Sequence, residues 1–180
     1  TSGGAQWALL AEYGSALLGK GGSTQAAQEQ LLAIWANVVS TPASSQDALK
    51  QFVFGSGEAM VTYEQDALLA QARGAMLEIV MPQRTVMSEH VAVIVDQNVK
   101  PSERAVVEAF VDFLWSETAQ KTFTKYYFRA VTDEALNEAV AEFHEIQHPF
   151  TVQDLGGWGR AYAEIVSGVW EEHSAAQTEQ

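Results

Sequence analysis

The sequence has no cysteine. That removes disulfides, thiolate metal sites and a cysteine nucleophile from consideration. Positive charge is scarce: 10 Lys and Arg stand against 23 Asp and Glu, a formal net charge of −13. Such a field repels phosphate backbones and anionic membranes, so nucleic acid is not an expected partner. Long apolar runs are also missing. The stretch around Val91–Val95 falls far short of the roughly 20 residues that span a bilayer, and a soluble protein is expected. Charged residues make up only 18% of the chain, which argues against long disordered stretches.

What is present is apolar substance: 47% of 180 residues are hydrophobic, enough to core one domain or two small lobes. Helical spacing runs through Trp7, Leu10, Tyr13, Leu17 and Leu18, and Gly19–Gly22 ends that run. Ser23 or Thr24 is suited to cap a second helix with Leu31, Leu32, Ile34, Trp35 and Val38 inward. Short helices are expected over 47–54 and 68–73. Pro101 marks a helix start, and Val106, Val107, Phe110, Leu114 and Trp115 form a stripe. Further helices are expected over 119–126 and 133–143. A last one carries Trp158, Tyr162, Ile165, Val166, Val169 and Trp170 on one face. Strands are expected at 59–63, 77–81 and 90–96. Strands alternating with helices indicate an α/β class. Three strands are few for that class, and Thr1-Ser2-Gly3-Gly4 reads as a turn from inside a domain. The chain is therefore expected to lack an upstream piece.

Three segments have chemistry to offer. Ser2-Gly3-Gly4 precedes a helix, so glycine-permitted turning and unpaired first-turn N–H groups make an anion nest that needs no cationic side chain. The same logic applies to the 41–46 loop, where Ser44 and Ser45 precede a helix. The segment 55–64 brings Tyr63 to a strand's carboxyl edge, a position that commonly lines a ligand crevice. Each also has a plainer reading: a glycine-rich helix entry, a capping loop and a half-buried strand tyrosine.

Taken in order, Thr1-Ser2-Gly3-Gly4-Ala5-Gln6-Trp7, the 55–67 run, and Phe150-Thr151-Val152 with Gly156-Gly157-Trp158 resemble the sulfate and thiosulfate periplasmic binding proteins of ABC transporters. Glu78 to Val99 is similar to that family's return strand. Phe113, Leu114, Ser116, Ala119 and Gln120 are similar to its following helices, and Phe128-Arg129 to a short signature after them. The resemblance implies a type II periplasmic-binding-protein-like α/β fold, here incomplete. Residues 1–82 and 150–180 would form the second lobe, and 83–149 part of the first. It implies an anion held by Ser2, Gly3, Gly4, the Ser44 N–H and Tyr63. Tyr63 stands where the family usually places a tryptophan, and the family's glycine-rich loop is here Ala43-Ser44-Ser45-Gln46. Implied partners are a sulfate-like oxyanion and a membrane permease. The implied location is periplasmic or extracellular, with no cofactor, no metal and no catalytic residue. Apolar surface left by a missing piece is expected to favour a homo-oligomer or swapped dimer.

One motif points elsewhere. His144-Glu145-Ile146-Gln147-His148 matches H-E-x-x-H, which on one helix would place two histidines on a zinc ion with Glu145 as base of a hydrolase. Pro149 opposes that arrangement, because the residue before a proline is driven out of helical backbone. A further alternative is a structural or interaction domain of the same fold with a lapsed anion site.

Overall fold

The computed structural model describes residues 3–173. Helix α1 (Gly3–Leu17) presents Leu9, Leu10 and Tyr13 to the interior. This is the spacing that puts side chains on one face of a 3.6-residue helix. It ends where Leu18 N–H donates to Gly14 O (2.9 Å) and Gly21 takes positive φ. Ser23 then caps α2 (Thr24–Trp35), its Oγ accepting from the Ala26 N–H at 3.1 Å. Helix α3 (Ser45–Val53) is amphipathic but buries no residue completely. Then come α4 (Glu64–Ala72), β1 (Arg84–Val86), α5 (Arg104–Leu114), α6 (Glu117–Lys125), α7 (Glu134–Glu138) and β2 (His148–Phe150). Helix α8 (Gly157–Ala161) follows and continues in π-helical form over Tyr162–Glu171.

The described residues form two compact units. The first gathers those up to Tyr63, Ala75–Ser88 and those from Glu145 on. Its core joins Leu9, Leu10 and Tyr13 of α1 with Ala27 and Leu31 of α2, Phe150 of β2, Val152, Leu155, and Ala161, Ile165, Val166 and Val169 of the last helix. Strands β1 and β2 pair in parallel, Val86 opposite Phe150 and Arg84 opposite His148. Phe150 lies so close to α1 that a Cβ on Gly14 would stand 2.4 Å from its Cε2 and 2.5 Å from its Cζ. Only a residue without a side chain fits there.

The second unit comprises Glu64–Gly74 and Glu89–His144. Its interior is small and polar: Ala67, Leu68, Ala70, Ala119 and Ala130 are buried, together with Gln120, Thr124 and Asn137. The polar groups act as pins. Asn137 accepts from Ala130 N–H (2.6 Å) and donates to Ala130 O (2.9 Å). Gln120 donates to Leu114 O (2.8 Å) and accepts from Val131 N–H (2.9 Å). Arg129 makes a two-point pair with Glu64 (2.7 and 2.8 Å), donates to His144 O (2.7 Å) and lies over the Phe143 ring. By contrast α5 buries nothing fully, and Val106, Phe110, Phe113 and Trp115 are exposed.

The expected helices are present, but 133–143 is helical only over Glu134–Glu138. The strands differ more. Among the described residues the sheet has two strands, and 59–63, 77–81 and 90–96 contribute none. A β-strand is stabilised by cross-strand pairing rather than by its own sequence. Val91, Val93 and Val95 are exposed and meet no ladder partner among the described residues.

The Gly14 notch yields a direct expectation. Gly14→Ala should lower stability by about 1–3 kcal/mol, the usual cost of overpacking. Adding Phe150→Leu should recover part of that loss in chemical denaturation, as coupled neighbours do. Equal, additive losses would contradict the contact.

Candidate functional site

Helix α1 starts at Gly3, and the first N–H groups of an α-helix have no intrahelical acceptor. Gly3 is open: a Cβ there would meet nothing within 4 Å. Gly4 is not. A Cβ on Gly4 would lie 3.5 Å from Tyr63 Cε2, 3.6 Å from Tyr63 Oη and 3.7 Å from Ser45 Cβ. Three segments far apart in the chain therefore converge at the first turn of α1: Gly4, the start of α3 and Tyr63. Ser2 lies outside the described residues.

Ser44 is the N-cap of α3. Its Oγ accepts from the Asp47 N–H at 3.1 Å and donates to Asp47 Oδ2 at 2.8 Å. The hydroxyl is thus committed to the cap. The Ser44 N–H donates to no described residue. The hydrogen bond from Ser44 and then the Lys50 ammonium hold the Asp47 carboxyl below its ordinary pKa. Tyr63 is half-buried and approached by unstrained backbone of ordinary loop form. Its neighbour Thr62 was not expected to matter. Its Oγ1 is buried and has no hydrogen-bond partner among the described residues. Nothing in the sequence pattern distinguishes that threonine from any other in a half-buried segment.

The first turns of α1 and α3 and the Tyr63 side chain thus lie beside one another at Gly4. Such a setting suits an oxyanion. The competing histidine motif is not assembled as a zinc helix. Residues 144–147 are irregular, and His148 belongs to β2, paired with Arg84. Pro149 accounts for this by excluding His148 from helical backbone. No group of three or more His, Cys, Asp or Glu among the described residues is placed to hold a metal ion, and none of their helices is long and apolar enough to cross a membrane.

The cap at Ser44 can be tested by itself. Ser44→Ala should cost about 1 kcal/mol of stability, as loss of a serine cap does. Part of that cost should depend on pH. A carboxyl whose pKa is lowered by folding contributes stability above its unfolded pKa and loses it as pH falls through the folded value. The deficit of Ser44→Ala at neutral pH should therefore narrow in acid, as measured by thermal unfolding from pH 7 down to pH 2. A deficit that stayed constant with pH would contradict the Ser44–Asp47 hydrogen bond.

Comparison with known proteins places this geometry in context. Residues 1–129 match the family model described as bacterial extracellular solute-binding protein. The chain is 33% identical over 173 residues to the sulfate-binding protein of Synechococcus elongatus, covering 94% of this chain and 49% of that one. It is 30% identical over 169 residues to the sulfate-binding protein of Escherichia coli, covering 91% of this chain and 51% of the relative. It is 27% identical over 164 residues to the thiosulfate-binding protein of the same organism, covering 88% of this chain and 48% of the relative. The chain thus spans about half the length of these curated relatives. The solved structure of the sulfate-binding protein SubI from Mycobacterium tuberculosis superposes with a TM-score of 0.77 at 30% identity, covering 92% of this chain and 56% of that one. The architecture is accordingly part of a periplasmic-binding-protein-like α/β fold. The chain belongs to the bacterial extracellular solute-binding proteins, and its likeness within them is to the sulfate- and thiosulfate-binding proteins.

Proposed function

We propose that this chain takes part in binding sulfate or a similar tetrahedral oxyanion such as thiosulfate. The donors are the N–H groups at Gly3 and Gly4, the Ser44 N–H and the Tyr63 hydroxyl, with Ser2 adding a further hydroxyl. The observation that carries this reading is that Tyr63 and Ser45 both lie within van der Waals reach of a Cβ placed on Gly4. The sulfate- and thiosulfate-binding relatives supply the anion class. A helix start contributes both unpaired donors and the positive end of its dipole, so it attracts an anion locally although the whole chain carries −13.

Donors without acceptors also select the anion. Fully ionised sulfate accepts hydrogen bonds on every side. Hydrogen phosphate carries a proton, and a donor forced against its O–H is left unpaired at a cost of about 1–3 kcal/mol. The tyrosine hydroxyl both donates and accepts, so it softens this discrimination relative to a tryptophan N–H.

In the whole protein, this binding would serve delivery of the anion to the membrane permease of an ABC transporter, with the binding component in the periplasm or outside the cell. Closure of two lobes would follow from contacts that the ligand makes with both. The exposed apolar side chains of α5 further support association of two copies in solution. Sedimentation velocity at micromolar concentration should show a dimer, and a monodisperse monomer would contradict that association.

A ligand that binds only the folded state raises the melting temperature by mass action. Millimolar sulfate should raise it, and phosphate at the same concentration should raise it less. Gly4→Val, which sets a branched side chain against Tyr63 and Ser45, should abolish the rise. Equal shifts with both anions, or a shift retained in Gly4→Val, would contradict this site.

A further inference from the structure

Tyr63 is followed at once by Glu64, the first residue of α4. Arg129 grips the Glu64 carboxylate at two points, Nε donating to Oε2 at 2.7 Å and Nη2 to Oε1 at 2.8 Å. This is the planar fork that a guanidinium offers a carboxylate. The two side chains are 21% and 17% exposed, so solvent ions screen the pair little. Arg129 is itself fixed on two further sides. Its Nη2 also donates to His144 O at 2.7 Å, and its guanidinium carbon stands 4.6 Å from the centre of the Phe143 ring. Every other ion pair among the described residues joins exposed side chains at most 8 residues apart. The Arg129–Glu64 pair is therefore not local decoration of a helix surface.

The backbone is strained where it presents Arg129. Tyr127 has φ 63°, alone in this among the described residues other than glycine. A bulky side chain disfavours that conformation, which persists only where surrounding contacts impose it. It closes α6, where the Phe128 N–H reaches back to Phe123 O at 3.1 Å. The turn sends Arg129 away from α6 and onto Glu64.

Tyr63 needs an anchor of this kind. The Ser44 hydroxyl is committed to its cap, which leaves the phenol as a side-chain donor to the anion. A phenol is a long lever, and a small rotation at its Cα carries the oxygen out of hydrogen-bond reach. One rigid peptide plane joins Tyr63 to Glu64, so a fixed Glu64 limits that rotation. We infer that Arg129 is a positioning residue for the anion site: by clamping Glu64 it sets the direction in which the adjacent Tyr63 presents its hydroxyl beside Gly4. This rests on the oxyanion reading and adds to it a residue that itself touches no anion.

Calorimetric titration with sulfate of the unaltered chain, Arg129→Lys, Tyr63→Phe and the double variant tests the inference. Arg129→Lys keeps the charge but loses the two-point grip. It should weaken sulfate binding about three- to tenfold, the worth of one neutral hydrogen bond, and Tyr63→Phe should weaken it at least as much. The double variant should bind sulfate no more weakly than Tyr63→Phe, because the clamp acts through a hydroxyl that is gone. The melting temperature should meanwhile fall equally on Arg129→Lys in either background, which separates positioning from a general loosening of the fold. Glu64→Gln, of the same size and uncharged, carries the same expectations and serves where Arg129→Lys does not fold. Sulfate affinity unchanged in these variants or in Tyr63→Phe, or a full further loss in the double variant, would overturn the inference, while sulfate binding by the unaltered chain would keep the oxyanion reading. Failure of the unaltered chain to bind sulfate would overturn both.

Discussion

The close seating of Phe150 against Gly14 is the contact on which the first unit depends. The ring occupies space that any side chain at Gly14 would claim, so β2 is held directly on the backbone of α1. Through β2 the contact also fixes β1, whose Val86 lies opposite Phe150. Leu9, Leu10 and Tyr13 complete the same face of α1 against α2 and the last helix. A helix held along its whole buried face has a defined start. The direction of its first N–H groups is then a property of the core. An oxyanion site made of backbone donors requires this, since such donors cannot be re-aimed by side-chain rotation.

The second unit is held differently. Few large side chains are buried in it, and its order comes from amide pins and the Arg129–Glu64 pair. Both partners of that pair are about one-fifth exposed. Removal of one would leave the other poorly solvated, at a cost on the order of 3 kcal/mol. Its large apolar side chains, Phe110 and Trp115 among them, face outward. A helix stripe of that strength normally meets a partner.

Helices were legible in the sequence because their signal is local. A stripe such as Leu10, Tyr13 and Leu17, or a cap such as Ser23, needs only neighbours within a turn or two. Strands were not, because pairing is not local. Val91–Val95 has every compositional mark of a strand but no ladder partner among the described residues, whereas Arg84–Val86 pairs because His148–Phe150 lies beside it. Pro149 carried enough local information to argue against the zinc motif, and His148 is indeed extended. At the candidate site, the glycines and serines before two helices were readable one segment at a time. Their meeting with Tyr63 was not, since it depends on long-range packing.

Whether backbone N–H groups at two helix starts bind the anion is decided by a ¹⁵N-amide NMR titration with sulfate. Saturable downfield shifts are expected at Gly3, Gly4 and Ser44, sharing one dissociation constant, with the amides of α5 unmoved. Shifts spread over the lysine and arginine side chains, with these three amides silent, would contradict such binding.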